Sequence, residues 1–151
     1  MRAILQRVSQ ASVKVENQKI AQINRGMLIL LGIRIDDSEK EAELLAKKTA
    51  NLRIFSDEND KMNLSIVEIG GQAIVVSQFT LYGNCKKGRR PSFVEAAPPE
   101  KANSLYHYYI EYLKNQGISV QMGKFQAIMQ VNILNEGPVT IILDSDKLQN
   151  K

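Results

Sequence analysis

Apolar and polar residues alternate over much of the first third of the chain, which predicts β-strands. Residues 3–15 combine this alternation with β-branched side chains, and Asn17-Gln18 supplies turn chemistry. Two more apolar runs, 20–23 and 27–33, lie on either side of the turn residues 24–26. We therefore expect the chain to begin as an antiparallel meander.

Apolar residues recur at helical spacing in two later segments. Ser38 and Glu41 have the spacing of a capping box, which predicts a helix start. The stripe behind it is Ala42, Leu45, Ala46, Thr49 and Leu52. Pro98 and Pro99 suit the start of a second helix, and Gly117 suits its end. Its stripe is Ala102, Leu105, Tyr106, Tyr109 and Leu113. Both helices are predicted to be amphipathic and to pack on a sheet.

Further apolar runs predict the remaining strands. Residues 64–69 and 73–79 flank Gly70-Gly71 and are predicted to form a hairpin. Three short strands follow, at 118–122, 128–134 and 139–143. About eight strands with two helices between them indicate an α+β (α/β) fold, a layered β/β/α core of mixed, largely antiparallel sheet with two main helices on one side.

The size and composition fit one domain spanning residues 1–151. The chain is 44% hydrophobic and 24% charged, as is usual for a folded protein. A single cysteine, Cys85, cannot form an intramolecular disulfide, and charge interrupts the apolar run at residues 1–7 too early for a signal peptide. No stretch approaches the ~20 apolar residues of a membrane span, so we expect a cytoplasmic protein without membrane contact.

Positive charge is concentrated in one loop. Lys and Arg outnumber Asp and Glu by 20 to 16, giving a net charge of +4. Lys86, Lys87, Arg89 and Arg90 surround Gly88, whose flexibility would let the backbone approach a phosphate. The loop therefore fits an RNA-binding surface, and a solvated surface loop remains the alternative.

Hydroxyl and amide side chains follow the apolar run 74–76, so Ser77, Gln78 and Thr80 are predicted to lie at a strand end. The single histidine, His107, is predicted to face solvent, which leaves no Ser-His-Asp or Cys-His arrangement. One histidine and one cysteine do not make a first-row metal site, and the glycine spacing fits no phosphate loop or dinucleotide fingerprint. We expect no metal and no cofactor, so an enzyme with this sequence would use backbone dipoles, hydroxyls and the substrate's own groups.

Gly137-Pro138 is the second unusual position. An X-Pro bond can adopt the cis form at modest cost, and a preceding glycine leaves the carbonyl direction unrestricted by a side chain. The dipeptide can thus hold backbone oxygens in a fixed arrangement. A plain hairpin turn between two strands is the alternative.

Two segments together resemble the signature motifs of the D-aminoacyl-tRNA deacylases, the D-tyrosyl-tRNA deacylase family. They are Ser77-Gln78-Phe79-Thr80 and Asn135-Glu136-Gly137-Pro138-Val139-Thr140. The resemblance runs nearly end to end and includes Gln6-Arg7-Val8, Leu52-Arg53-Ile54-Phe55, Lys87-Gly88-Arg89-Arg90-Pro91-Ser92-Phe93 and Gly123-Lys124-Phe125. It implies an enzyme that hydrolyses the ester between a D-amino acid and the terminal adenosine of tRNA and spares the L form. Whether mischarged glycine is also removed stays open.

The resemblance also implies a homodimer. In this family the Gly-cis-Pro motif of one subunit, here Gly137-Pro138, reaches into the active site of the other. Its backbone oxygens there take the substrate's α-ammonium group, and the tight turn leaves no room for an L side chain. The implied partners are aminoacyl-tRNA, through its acceptor end, and a second copy of the chain; no DNA is expected.

The same resemblance implies roles for other residues. Ser77, Gln78, Phe79 and Thr80 would hold the terminal adenosine and the scissile carbonyl, with main-chain N–H groups near Phe79 and Thr80 as an oxyanion hole. The adenosine's 2′-hydroxyl would assist attack. Thr80 has also been considered a nucleophile in this family, but with no base in reach a positioning role is favoured. The implied adenosine and tRNA contacts are Arg7, Ala102, Phe125, Lys86, Lys87, Arg89 and Arg90.

Two places depart from the commoner family pattern. Asn84-Cys85-Lys86 stands where an acidic residue and an Arg are usual, and Gln126 and Ile128 replace a more frequent Gly and a polar residue. The first change would affect phosphate contacts and the second the local pocket.

Two other functions stay open: a non-catalytic tRNA-binding module that uses the basic loop, and a hydrolase of free D-amino acid esters.

Overall fold

The sheet is organised around one long strand, β1 (Arg2–Val15), in the computed structural model, which describes residues 1–149. β1 pairs antiparallel with β3 (Gly26–Gly32) along its first half and with β2 (Gln18–Ile23) along its second half. The three predicted strands are confirmed. The predicted meander is wrong, because β1 is long enough for β2 and β3 to follow one another along the same edge.

The other half of the sheet is parallel. β6 (Gln72–Ser77) pairs with β3, and β7 (Ser119–Met122) pairs with β6. Residues 73–76 of β6 are all buried, as is typical of a strand covered on both faces. The sheet is therefore mixed, and the predicted fold class is confirmed.

The predicted hairpin between residues 64–69 and 73–79 is wrong. Residues 66–70 form turns, closed by a hydrogen bond from the Gly71 N–H to the Ile66 carbonyl at 2.9 Å. The preceding segment, β5 (Met62–Leu64), pairs instead with β4 (Phe55–Ser56) in a small separate sheet. β6 is not paired with β5 and runs parallel to β3 in the main sheet.

Two helices cover one face of the main sheet, as predicted. Helix α1 (Glu39–Asn51) and helix α2 (Pro99–Asn115) bury their stripes against β1, β3 and β6. A short helix α3 (Ser145–Gln149) follows the last strand. Within residues 1–149, every helix is too short or too polar to cross a lipid bilayer.

The capping box at the start of α1 is present. The Ser38 side chain accepts from the Lys40 N–H, and the Glu41 carboxylate accepts from the Ser38 N–H at 2.8 Å. Partial burial would raise the pKa of Glu41, but hydrogen bonds from Ser38 and Gln149 outweigh it and lower the pKa to about 2. The ionised carboxylate therefore stabilises this helix end.

The opposite face of the sheet buries a second cluster, drawn from β1, β2, β3 and β6. β2 contacts β6 and β7 without pairing with either. Two hydrogen bonds between Gln22 and Gln121, at 2.8 and 2.6 Å, link β2 to β7. The sheet therefore curls toward a barrel and encloses this cluster.

One strand, β8 (Gln130–Asp144), runs antiparallel along the whole free edge of β1. Gln6 of β1 pairs with Thr140 and Val8 pairs with Asn135, so residues 136–139 lie opposite Arg7 alone. The predicted division into strands 128–134 and 139–143 with a hairpin turn between them is therefore wrong. Gly137-Pro138 lies in a bulge of a continuous strand.

Candidate active site

A cavity of about 780 Å³ opens where β3 and β6 end. Its floor is apolar and buried, formed by Leu31, Ile33 and Val76. Residues 77–79 form one wall and residues 125–129 a second wall, and the start of α2 closes the side. This volume and the mostly apolar lining suit a ligand of nucleoside size.

The cavity brings together residues that are far apart in the sequence. Ser77, Gln78 and Phe79 line it, and so do Ala102 and Phe125, as expected for a shared site. Thr80 stands beside it, with its hydroxyl oxygen accepting from the Gln78 side-chain amide at 2.5 Å.

Helix α2 is held against the sheet at this point by Tyr106. Its hydroxyl donates to the Val75 carbonyl at 2.7 Å, and its ring packs against the Phe125 ring with centroids 6.0 Å apart. Both contacts fix the position of Ala102 and Phe125 relative to the strand end. Tyr106 does not line the cavity but holds residues that do.

A 3₁₀ helix, Phe79–Tyr82, begins directly after β6. Its hydrogen bonding starts with the Leu81 N–H donating to the Gln78 carbonyl, and the Gln78 N–H donates to the Leu31 carbonyl at 2.8 Å. The N–H groups of Phe79 and Thr80 therefore have no acceptor within the helix. Phe79 lines the cavity and Thr80 is next to it in the chain, so two adjacent donors of this kind are suited to stabilise an oxyanion beside the cavity.

The basic loop lies between the 3₁₀ helix and Phe93, which lines the cavity. Lys86, Lys87, Arg89 and Arg90 are all exposed, and no salt bridge found within residues 1–149 involves them. Gly88 has φ +69°, a conformation that favours glycine. The loop therefore presents its four charges to solvent next to the cavity.

The base of the loop is ordered and joined to the cavity. Asn84 and Ser92 exchange two backbone hydrogen bonds of 2.8 and 2.9 Å, and the Asn84 side chain accepts from the Lys86 N–H at 3.0 Å. Phe93 then packs edge to face on Phe79, with centroids 5.0 Å apart, and both rings line the cavity. Asn84, one of the departures from the family pattern, thus takes part in shaping the loop.

Arg7, Gly137 and Pro138 lie together but do not line the cavity of their own chain. The Arg7 guanidinium donates to the Glu136 carbonyl at 2.9 Å and to the Ile54 carbonyl at 2.8 Å. The Gly137-Pro138 peptide bond is cis, and Gly137 has φ +131°. Arg7 therefore fixes the bulge, while the two bulge residues are exposed on this chain.

Several lining residues were not singled out from the sequence. Pro98, Pro99 and Met129 line the cavity, whereas the sequence predicts only a helix-starting role for the two prolines. Gln126, which was expected to affect the local pocket, does line it and has φ +60°, which explains why a glycine suits this position. The sequence feature that could have indicated these cavity residues is the proline pair, which lies between the polar strand end and helix α2.

His107 is exposed, as predicted. Among residues 1–149, no group of three or more His, Cys, Asp or Glu side chains is arranged to hold a metal ion. The polar side chains that line the cavity are those of Ser77, Gln78 and Gln126.

A family model described as D-Tyr-tRNA(Tyr) deacylase matches residues 4–144. Relatives named D-aminoacyl-tRNA deacylase include one from Thermotoga petrophila, 54% identical over 148 residues, covering 98% of this chain and 99% of that protein. Another, from Koribacter versatilis, is 56% identical over 147 residues, covering 97% and 99%.

Two solved structures have the same fold as this chain. The c-Myc DNA Unwinding Element Binding Protein is 42% identical, with a TM-score of 0.89 over 95% of this chain and 98% of that chain. A probable eukaryotic D-amino acid tRNA deacylase shares the fold at 17% identity, with a TM-score of 0.81 over 94% and 97% of the two chains.

Proposed function

Since the chain belongs to the D-Tyr-tRNA(Tyr) deacylase family, we propose that it is a D-aminoacyl-tRNA deacylase, a hydrolase of the ester between a D-amino acid and the terminal adenosine of tRNA. The observation that carries the proposal is a nucleoside-sized cavity lined by Phe79, at the start of a 3₁₀ helix in which the N–H groups of Phe79 and Thr80 have no acceptor. Ester hydrolysis needs such donors because negative charge develops on the carbonyl oxygen.

In the proposed reaction the terminal adenosine lies against Ala102 and Phe125, and the scissile carbonyl oxygen lies at the Phe79 and Thr80 N–H groups. Water adds to the carbonyl carbon, the bond to the ribose oxygen breaks, and a free amino acid and tRNA are released. The 2′-hydroxyl of the adenosine assists the attack, which accounts for a site without a histidine base. Thr80 has a positioning role: its hydroxyl accepts a hydrogen bond from the side chain of Gln78, and Gln78 lines the cavity.

The chiral choice is assigned to Gly137-Pro138 of a second copy in a homodimer. Support comes from placement: Gly137 and Pro138 are exposed, and neither lines the cavity of its own chain. β8 also exposes Leu134 and Ile142, which are 59% and 70% accessible, and within residues 1–149 its outer edge pairs with no further strand. An unprotected edge of this kind favours association with another chain.

The basic loop is assigned to tRNA phosphates. Its four cations are exposed and unpaired in the described chain, and the loop is joined to the cavity through Phe93. Contacts of this type position the acceptor end without reading its sequence. A cytoplasmic location and the absence of a DNA partner follow from this substrate and stay predictions.

The decisive assay compares paired D- and L-aminoacyl-tRNAs. Release of the D-amino acid with the L form spared is the expected result. Equal rates on both enantiomers would contradict the chiral assignment. RNA binding without ester cleavage would identify a non-catalytic tRNA-binding module, and salt-independent cleavage of free D-amino acid esters would identify a small-molecule hydrolase.

A complementation experiment tests the cross-subunit assignment. A Gly137→Ala subunit is mixed with a Ser77→Phe subunit, and the heterodimer is assayed after subunit exchange is confirmed. If each site combines residue 77 of one chain with residue 137 of the other, one site of the heterodimer carries both changes and the other site carries neither. About half of normal activity is therefore expected per heterodimer. No recovery would refute the arrangement.

A further inference from the structure

The 3₁₀ helix Phe79–Tyr82 is tied to the sheet by the side chain of Arg2, the first residue of β1. The Arg2 Nη1 group donates to the Leu81 carbonyl at 3.0 Å, and the guanidinium lies over the buried Tyr82 ring, 4.7 Å from its centroid. The Arg2 Nε group donates at the same time to the Asp144 carboxylate at 2.9 Å. One guanidinium therefore joins the helix to the last residue of β8.

The Leu81 carbonyl needs this donor because the backbone N–H that would continue the helix is used elsewhere. In a 3₁₀ helix that N–H lies three residues on, at Asn84, and here it donates to the Ser92 carbonyl at 2.8 Å. Arg2 supplies the missing donor at the helix end, and its charge makes the hydrogen bond stronger than a neutral one.

The helix is held in place from two directions. Leu81 lies directly on the end of β3, since a Cβ added at Gly32 would be 2.9 Å from the Leu81 Cβ. Arg2 pairs with Gly32 across β1 and β3, so the tether begins beside this contact. The contact limits movement of the helix toward the sheet, and the Arg2 hydrogen bond limits movement away from it.

We propose that Arg2 is a positioning residue for the oxyanion donors, the N–H groups of Phe79 and Thr80. The inference rests on the proposed function and deepens it. Both donors belong to the same single turn as the Leu81 carbonyl, so a helix released at Leu81 carries them with it. Arg2 does not line the cavity and acts through the helix backbone, with its guanidinium oriented by Asp144.

The variant Arg2→Lys separates positioning from charge pairing. Lysine has a single charged nitrogen, so it can keep the pair with Asp144 but cannot hold both acceptors in the fixed fork of a guanidinium. Arg34→Lys is the matched control, because the side-chain hydrogen bonds of Arg34 within residues 1–149 all go to Asp146, at 2.7 and 3.1 Å. Asp144→Asn leaves Arg2 in place but removes the charge that orients it.

Each variant is assayed for single-turnover deacylation of one D-aminoacyl-tRNA, and urea unfolding checks the fold. Arg2→Lys should lower the rate at saturating enzyme roughly tenfold, because oxyanion donors act on the transition state and small displacements are costly. The enzyme concentration that gives half of the maximal rate should change less than about twofold. Asp144→Asn should also lower the rate, by no more than Arg2→Lys, and Arg34→Lys should stay within about twofold. The backbone amide NMR resonances of residues 79–82 should shift in Arg2→Lys and stay unchanged in Arg34→Lys.

A normal rate in a folded Arg2→Lys overturns the inference, and so does an equal loss in Arg34→Lys or a loss confined to the half-saturating concentration. If Arg2→Lys does not fold, a normal rate in Asp144→Asn overturns it. An unmodified chain that cleaves no D-aminoacyl-tRNA overturns the proposed function instead. Unshifted amide resonances at residues 79–82 would then overturn the role of Arg2 in holding the helix as well.

Discussion

Replacing Gly137 by alanine tests whether the bulge of β8 is part of the active assembly. Gly137 has φ +131°, which L side chains rarely adopt. An added Cβ would lie 2.9 Å from the Val139 nitrogen, 3.0 Å from Val139 Cγ2 and 3.2 Å from an Arg7 guanidinium nitrogen. Arg7 cannot easily move away, because its guanidinium is held by two backbone carbonyls. The bulge itself must therefore shift.

The size of the effect follows from these contacts. The unfavourable φ and the overlap together are expected to lower the free energy of unfolding by about 2–3 kcal/mol. Gly70→Ala is the matched control, since Gly70 has φ +59° and a Cβ there would meet no atom within 4 Å. It should lose only about 1 kcal/mol. The bulge is at the surface, so Gly137→Ala should remain folded.

Deacylation should respond far more strongly. A displacement of catalytic or positioning groups by about 1 Å can cost roughly 10²-fold in rate, so Gly137→Ala should lose at least that much on D-aminoacyl-tRNA or accept the L form. Gly70→Ala should keep normal activity and chirality. Urea unfolding at matched protein concentration and deacylation of both enantiomers are measured on each variant. Normal activity in Gly137→Ala would refute the reasoning, as would an equal loss in Gly70→Ala.

Four further changes test other parts of the molecule. Replacing both Arg89 and Arg90 by alanine should weaken tRNA binding and reduce the slope of log affinity against log salt by about 1–2, with little change in the rate of the catalytic step. An unchanged slope would mean that these two charges do not contact phosphate. Thr80→Ala should retain activity within about tenfold because the backbone donors survive, whereas a loss of roughly 10⁴-fold would indicate a nucleophile. The pKa of Glu41 is lowered from 4.5 to about 2, so its carboxylate stabilises the fold above pH 4.5 and this contribution is lost as the pH falls toward 2. Glu41→Gln should therefore cost about 0.5–1 kcal/mol at neutral pH and flatten acid unfolding measured by circular dichroism over that range, and identical acid curves would contradict this. Gln126→Gly should raise the free energy of unfolding by up to about 1 kcal/mol in urea titrations, because Gln126 has φ +60°; a decrease would show that its side chain makes a stabilising contact.

The sequence by itself determined the local elements. The capping box at Ser38, the proline start of α2 and the apolar stripes of both helices were predictable, because caps and helical periodicity act within a few residues. The polar strand end at residues 77–80 and the motif around Gly137-Pro138 were equally readable, since each is a continuous segment.

Only the tertiary structure decided how these elements meet. Periodicity does not encode which strand pairs with which, so the parallel entry of β6 and the shared edge of β2 and β3 could not be predicted. The same limit applied to Gly137-Pro138, because a turn and a bulge have the same local composition and only pairing with β1 distinguishes them. The cavity, too, exists only where α2 and residues 125–129 close on the strand end, since its walls are brought together by packing between distant parts of the chain.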